Sequence, residues 1–179
     1  MANPVDTIYG YIQALTNKRD SISMTKVMEA VYPRQKKVNI TAATKLSEAT
    51  HGMGRIVTVN SAAGIALTLP ASTGDGAKFR IYVGTTVTSS SLTIKVANAV
   101  DYMHGNVYQA GAAGASTAFS TSNSGTVATE SDTITLNGTT LGGIKGDYIE
   151  LEDYGVNTWR VLINGRITST AATPLSATV

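Results

Sequence analysis

The stretch from Arg55 to Ala97 contains four successive segments that alternate apolar and polar residues, each closed by turn formers. Successive side chains of a strand point to opposite faces, so such alternation fixes which residues a sheet must hide. Val57 and Val59 share one face of the first segment, Ile65, Leu67 and Leu69 of the second, Phe79, Ile81 and Val83 of the third, and Leu92, Ile94 and Val96 of the fourth. Thr58, Ala66, Thr68, Lys78, Arg80, Tyr82, Thr93 and Lys95 fall on the opposite side. Read in order, the segments predict a β-meander with one dry face, which needs a second layer to cover it.

The same period returns near the C-terminus. Thr133 to Asn137 presents Ile134 and Leu136, Asp147 to Asp153 presents Ile149 and Leu151, and Thr158 to Asn164 presents Trp159, Val161 and Ile163. Gly138, Gly142, Gly143, Gly146, Gly155 and Gly165 supply turns, and Tyr154-Gly155-Val156-Asn157 predicts a tight hairpin with Gly155 and Asn157 at positive φ. The expected fold over 53–166 is therefore an antiparallel β-sandwich or small barrel. Ile65, Leu67, Leu69, Phe79, Ile81, Val83, Leu92, Ile94, Ile134, Leu136, Ile149, Leu151, Trp159 and Val161 form its predicted core.

The N-terminal section, residues 1–52, follows another pattern. Asn3 and Pro4 suit a helix start, and Val5, Ile8, Ile12 and Leu15 recur at helical spacing. A second short helix is expected from Ser21 or Ser23 to Pro33, with Met24, Val27, Met28 and Val31 as its stripe. Helices this short are marginal alone, so their stripes want a partner, either the β-domain of the same chain or another subunit. Arg34 to Gly52 reads as a linker or arm in which Val38 and Ile40 could add a strand to a sheet edge. Two further stretches lack a period. Gln109 to Ser131, almost all Gly, Ala, Ser, Thr and Asn, reads as a surface loop, mobile or ordered by a partner, and residues 167–179 read as an extended C-terminal tail.

At 179 residues the chain can bury a core without cross-links, and its lack of cysteine excludes disulfides and thiolate chemistry. The charged fraction is 15%, against roughly 25% in typical soluble domains, with hydroxyl and small residues in its place. No apolar run approaches the length of a membrane span, and no membrane association is expected. Net charge is only +2, too small for a dedicated nucleic-acid binder, yet half of the 14 basic residues fall in the first fifty, Arg34, Lys36 and Lys37 among them. Such a section suits docking on an acidic protein surface or nucleic acid.

Chemistry is sparse. His51 and His104 each stand in a probable turn, and no nucleophile-elbow serine is present. Ser72 to Lys78 resembles a phosphate loop only loosely, and Asp75-Gly76 fits a hairpin turn better. Asp147, Glu150 and Glu152 offer neighbouring carboxylates that could hold calcium or act as an acid and base pair, with Asp153 on the other side of the strand. Arg160 across the hairpin is their expected neutralising partner. Neither an enzymatic activity nor a cofactor or small-molecule substrate is expected.

Certain residues resemble a known group. His51-Gly52, Gly54-Arg55, Gly64 to Ala71, Thr73 to Gly76, Val83 to Ser89, Ile94 to Ala97, Gly146 to Leu151, Trp159-Arg160-Val161 and Thr173-Pro174 look like a group of tailed-phage virion proteins, over roughly Thr50 to the C-terminus. The resemblance implies a head decoration, or cement, protein on the outer surface of the capsid. It would bind the major capsid protein as a homotrimer and hold the shell against the pressure of packaged DNA. A tail or fibre-associated structural or receptor-binding role is the alternative. With that reading, Ile8, Ile12, Val27, Val31, Arg34, Lys36 and Lys37 are the expected capsid or subunit contacts, and no direct nucleic-acid contact is expected.

Overall fold

The computed structural model describes residues 36–52, 54–111 and 114–179. Ile8, Ile12, Val27, Val31, Arg34 and both predicted helices lie outside them. The strands run β1 (Lys37–Ile40), β2 (Thr44–Lys45), β3 (Ile56–Val59), β4 (Ala66–Thr68), β5 (Lys78–Val83), β6 (Leu92–Lys95), β7 (Tyr102–Gly111), β8 (Ser116–Ser120), β9 (Thr133–Leu136), β10 (Tyr148–Gly155), β11 (Thr158–Ile167) and β12 (Leu175–Ser176), with one helical turn, α1 (Glu48–His51), between β2 and β3. They form a seven-stranded sheet in the order β1-β3-β5-β10-β11-β7-β8 and a five-stranded sheet in the order β12-β9-β6-β4-β2.

The alternating segments are strands, as expected, but not a meander. From β1 to β6 the chain changes sheet after every strand, and β1, β3 and β5 pair in parallel in one sheet while β2, β4 and β6 pair in parallel in the other. The first half is thus a coil of three turns beginning at Lys37, Ile56 and Lys78. Period-2 alternation names the face of each residue, not the strand it pairs with, so coil and meander carry the same pattern. Antiparallel pairing holds only in the second half, where β10 joins β5 to β11 and β9 joins β6 to β12. Even there β11 runs parallel to β7 over ten residue pairs. Both sheets are mixed, and neither closes into a barrel.

Apolar faces of both sheets feed one cluster. Val57, Phe79, Ile81, Ile149, Leu151, Trp159 and Ile163 come from the larger sheet and Leu67, Leu92, Ile94, Ile134 and Leu136 from the smaller. Every predicted core residue is buried except Ile65, which is half-buried at the lip of β4. Trp159 is fully buried against Phe79, ring centroids 5.8 Å apart.

Residues 36–52, read as an arm, are built into both sheets: Val38 and Ile40 do add a strand, β1, alongside β3. Gln109 to Ser131 is not the featureless loop expected. Tyr102 opens a ten-residue strand that runs to Gly111, Gln109 is only 1% exposed, and β8 returns antiparallel beside β7. Small and hydroxyl residues hide such strands from a periodicity reading because they are compatible with either face. The C-terminal stretch is likewise held by its own domain, since Leu175 pairs with Ile134 and the Asp132 carboxylate accepts the Thr178 and Val179 N–H groups.

Turn chemistry explains the sheet changes. Gly74 and Gly76 have φ of 80° and 83°, as the Asp75-Gly76 turn requires, but the turn carries the chain from β4 to β5 in the other sheet rather than closing a hairpin. The β10–β11 hairpin does form, with Asn157 at φ 62° and a register shift at Asp153/Gly155; Gly155 itself keeps a negative φ.

Candidate interaction surface

Buried carboxylates tie several loops to the sheets. The Asp153 carboxylate accepts the Ser72 hydroxyl at 2.7 Å and the Thr73 and Gly74 N–H groups at 2.8 Å each, pinning the β4–β5 turn to the β10–β11 hairpin. Burial alone would raise its pKa, but these donors, the Ser72 hydroxyl first, hold it below the usual carboxylate range. Asp147 accepts N–H bonds from Gly143, Ile144 and Arg166, and Asp101 accepts one from Ser72. Glu130, 3% exposed, accepts the Gly125 N–H, and its second oxygen lies 3.4 Å from His104 Nε2. Burial pushes the Glu130 carboxyl up, but hydrogen bonds from Gly125 and Ser124 and the neighbouring His104 bring it below the ordinary range. These groups tie loops to strands. Each satisfies backbone donors that no ladder reaches.

The three carboxylates that suggested a metal or acid-base site are therefore separated. Asp147 is buried among loop amides, whereas Glu150 and Glu152 stand on the outer face of the large sheet. Glu152 is held between Lys78 Nζ at 2.9 Å and Arg160 at 3.4 Å, and Lys78 chiefly keeps its carboxyl low. Glu150 faces Arg80 at 3.8 Å and accepts the Tyr148 hydroxyl; burial and then that bond push the Tyr148 phenol up to about 12. Among the described residues no three His, Asp or Glu side chains gather as a metal-binding group. His51 lies in α1, its Nδ1 accepts the Ser47 N–H at 3.1 Å, and burial lowers its pKa.

What remains is the outer face of the large sheet. The registers align Lys78, Glu152, Arg160 and His104 in one row, Arg80, Glu150, Leu162 and Asn106 in the next, and Tyr82, Tyr148, Asn164 and Tyr108 in a third. Five tyrosines, Tyr82, Tyr102, Tyr108, Tyr148 and Tyr154, belong to this face, and Tyr82 and Tyr148 pack at 4.9 Å between centroids. A shallow dent lined by Glu150, Glu152, Arg160 and Leu162 lies on it. Glu150 and Glu152 are each paired with a basic neighbour here, leaving a tyrosine-rich surface of low net charge, of the kind suited to packing on another macromolecule. Of the predicted contact residues, Lys36 and Lys37 are described: both are exposed at the start of β1, on the edge of this sheet. Sequence reasoning missed the tyrosine rows, because which residues become neighbours depends on the parallel β7–β11 register.

No family profile, no curated protein and no solved structure matches the chain. Among the described residues no helix is long and apolar enough to cross a membrane.

Proposed function

We propose that this chain is a structural protein of a phage virion, a non-enzymatic head decoration protein whose two sheets pack as a β-sandwich. In this reading it sits on the outer surface of the capsid as a homotrimer, binds the major capsid protein, and staples neighbouring capsid subunits against the pressure of packaged DNA. The supporting observation is the character of the described surface: buried carboxylates are spent on clamping loops, Glu150 and Glu152 are paired with basic residues across strands, and the outer face of the large sheet is rich in tyrosine. Such a surface suits packing rather than turnover. The resemblance of residues from Thr50 onward to tailed-phage virion proteins supports the same reading.

Residues 1–52 supply most of the shell contact in this account. Ile8, Ile12, Val27 and Val31 give buried area, and Arg34, Lys36 and Lys37 steer docking onto acidic capsid patches. Individual contacts are weak, and a trimer engaging several capsid subunits adds them through effective concentration. Co-sedimentation with capsids lacking the protein tests this. The full chain is expected to pellet with the particles, and a chain lacking residues 1–33 to stay folded and soluble but remain in the supernatant. Full-strength binding by the truncated chain would sink the assignment of the contact to the N-terminal section.

A further inference from the structure

We propose that β8 is a self-pairing edge, through which two copies of this chain join across a two-fold axis. An edge strand offers a row of unpaired N–H and C=O groups, and proteins blunt such edges with short strands, lysines or prolines. Three of the four sheet edges here follow that rule. β2 and β12 are two residues long, and β1 is led in by the exposed Lys36 and Lys37. β8 does not. It runs five residues, Ser116-Thr117-Ala118-Phe119-Ser120, with no charge and no proline, exposed throughout except for the half-buried Phe119. Among the described residues it pairs on one side only, with β7.

The occupant follows from symmetry and charge. At a two-fold axis the central side chain meets its own mate and the others meet residues mirrored about it, so a strand free of charge brings no like charges together in any centred register. β8 carries no charge, whereas β1 begins with Lys37 directly after Lys36. Antiparallel pairing centred on Ala118 sets Ser116 against Ser120, Thr117 against Phe119, and Ala118 against its symmetry mate. Small residues occupy the outer side of this seam. Directly behind Ala118 on β7 stands Tyr108, 50% exposed, so the two Tyr108 rings flank the alanine pair and lose water on assembly. On the inner side Phe119 already packs against the core, and its exposed remainder meets Thr117. The seven-stranded sheet thereby continues into a second copy by strand addition. An isologous contact cannot close a trimer, so on a capsid it would join one trimer to the next; that consequence, unlike the pairing itself, rests on the proposed function.

The chain contains no cysteine, which makes a cross-linking test clean. Purified full-length Ala118→Cys, mildly oxidised, is expected to give reducible covalent dimers, while Lys45→Cys on the β2 edge gives few. Ala118→Lys and Ala118→Glu should each weaken self-association in sedimentation by at least about tenfold, and mixing the two should restore it. Ala118→Cys cross-linking no better than Lys45→Cys, or no rescue on mixing, would overturn the proposal. So would cross-linking of Ala118→Cys only to Asn39→Cys, which would place β8 against the β1 edge. These readings use protein without particles, so they stand or fall separately from the capsid assignment.

Discussion

Asp153 illustrates how a β-domain with little charge spends the carboxylates it has. It is 1% exposed, and its two oxygens accept the Ser72 hydroxyl and the Thr73 and Gly74 amides. Hydrogen bonds to a charged group are worth about 1.5–3 kcal/mol each. Asp153→Ala should therefore destabilise the domain by at least about 3 kcal/mol in chemical denaturation at neutral pH, and less than about 1 kcal/mol would contradict the clamp. The sign of the pH dependence follows from the depressed pKa values of Asp153, Glu130 and Glu152. A carboxyl depressed in the folded state binds fewer protons there than when unfolded. Its contribution is complete above the unfolded value, roughly 4, and is lost as pH falls through the lower folded value. Stability should be level near neutrality and decline below about pH 4–5, with a shallower decline in Asp153→Asn. The alternation of Tyr148 to Tyr154 places Asp153 on the buried side, so its inward position was legible in the sequence. Its partners were not, because Ser72 lies 81 residues away and reaches it only through the coil.

At the level of elements, face is local information and partnership is not. Leu67 and Ile94 read as inward residues of the second and fourth segments, two strands apart in a meander, and both are fully buried, yet they are direct parallel neighbours in the smaller sheet. Leu67→Asp should abolish soluble protein whichever topology holds, since an unpaired charge in a packed core costs several kcal/mol. Soluble expression at the normal level would show the site to be exposed. Sheet changes depend on glycines that no alternation reveals. Gly138, in the Asn137-Gly138 turn after β9, has φ 79°, and a Cβ there would come within 1.8 Å of the Val87 carbonyl oxygen. Gly138→Ala should cost about 1–2 kcal/mol from the left-handed backbone alone, with the clash adding to it. A melting temperature unchanged from that of the parent would mean that the turn is not as tight as described. β8 escaped sequence reading because Ser, Thr and Ala show no preference of face, and β7 because glycines at Gly105 and Gly111 and polar residues on both faces interrupt its alternation; β7 is ordered by its pairing with β11, and β8 by its pairing with β7.

For the whole molecule, the two-sheet domain accounts for its own C-terminus: β12 and the Asp132 clamp hold residues 175–179 without help from another chain. Lys36 and Lys37 are exposed at the start of β1, next in the chain to residues 1–35. A three-dimensional density map of a phage particle carrying this chain, the setting that the proposed function requires, tests the account most directly. The account predicts density matching residues 36–179 on the outside of the head, grouped in threes, with the N-terminal section against the shell. The same density on the tail or fibres, inside the head, or absent from the particle would contradict it.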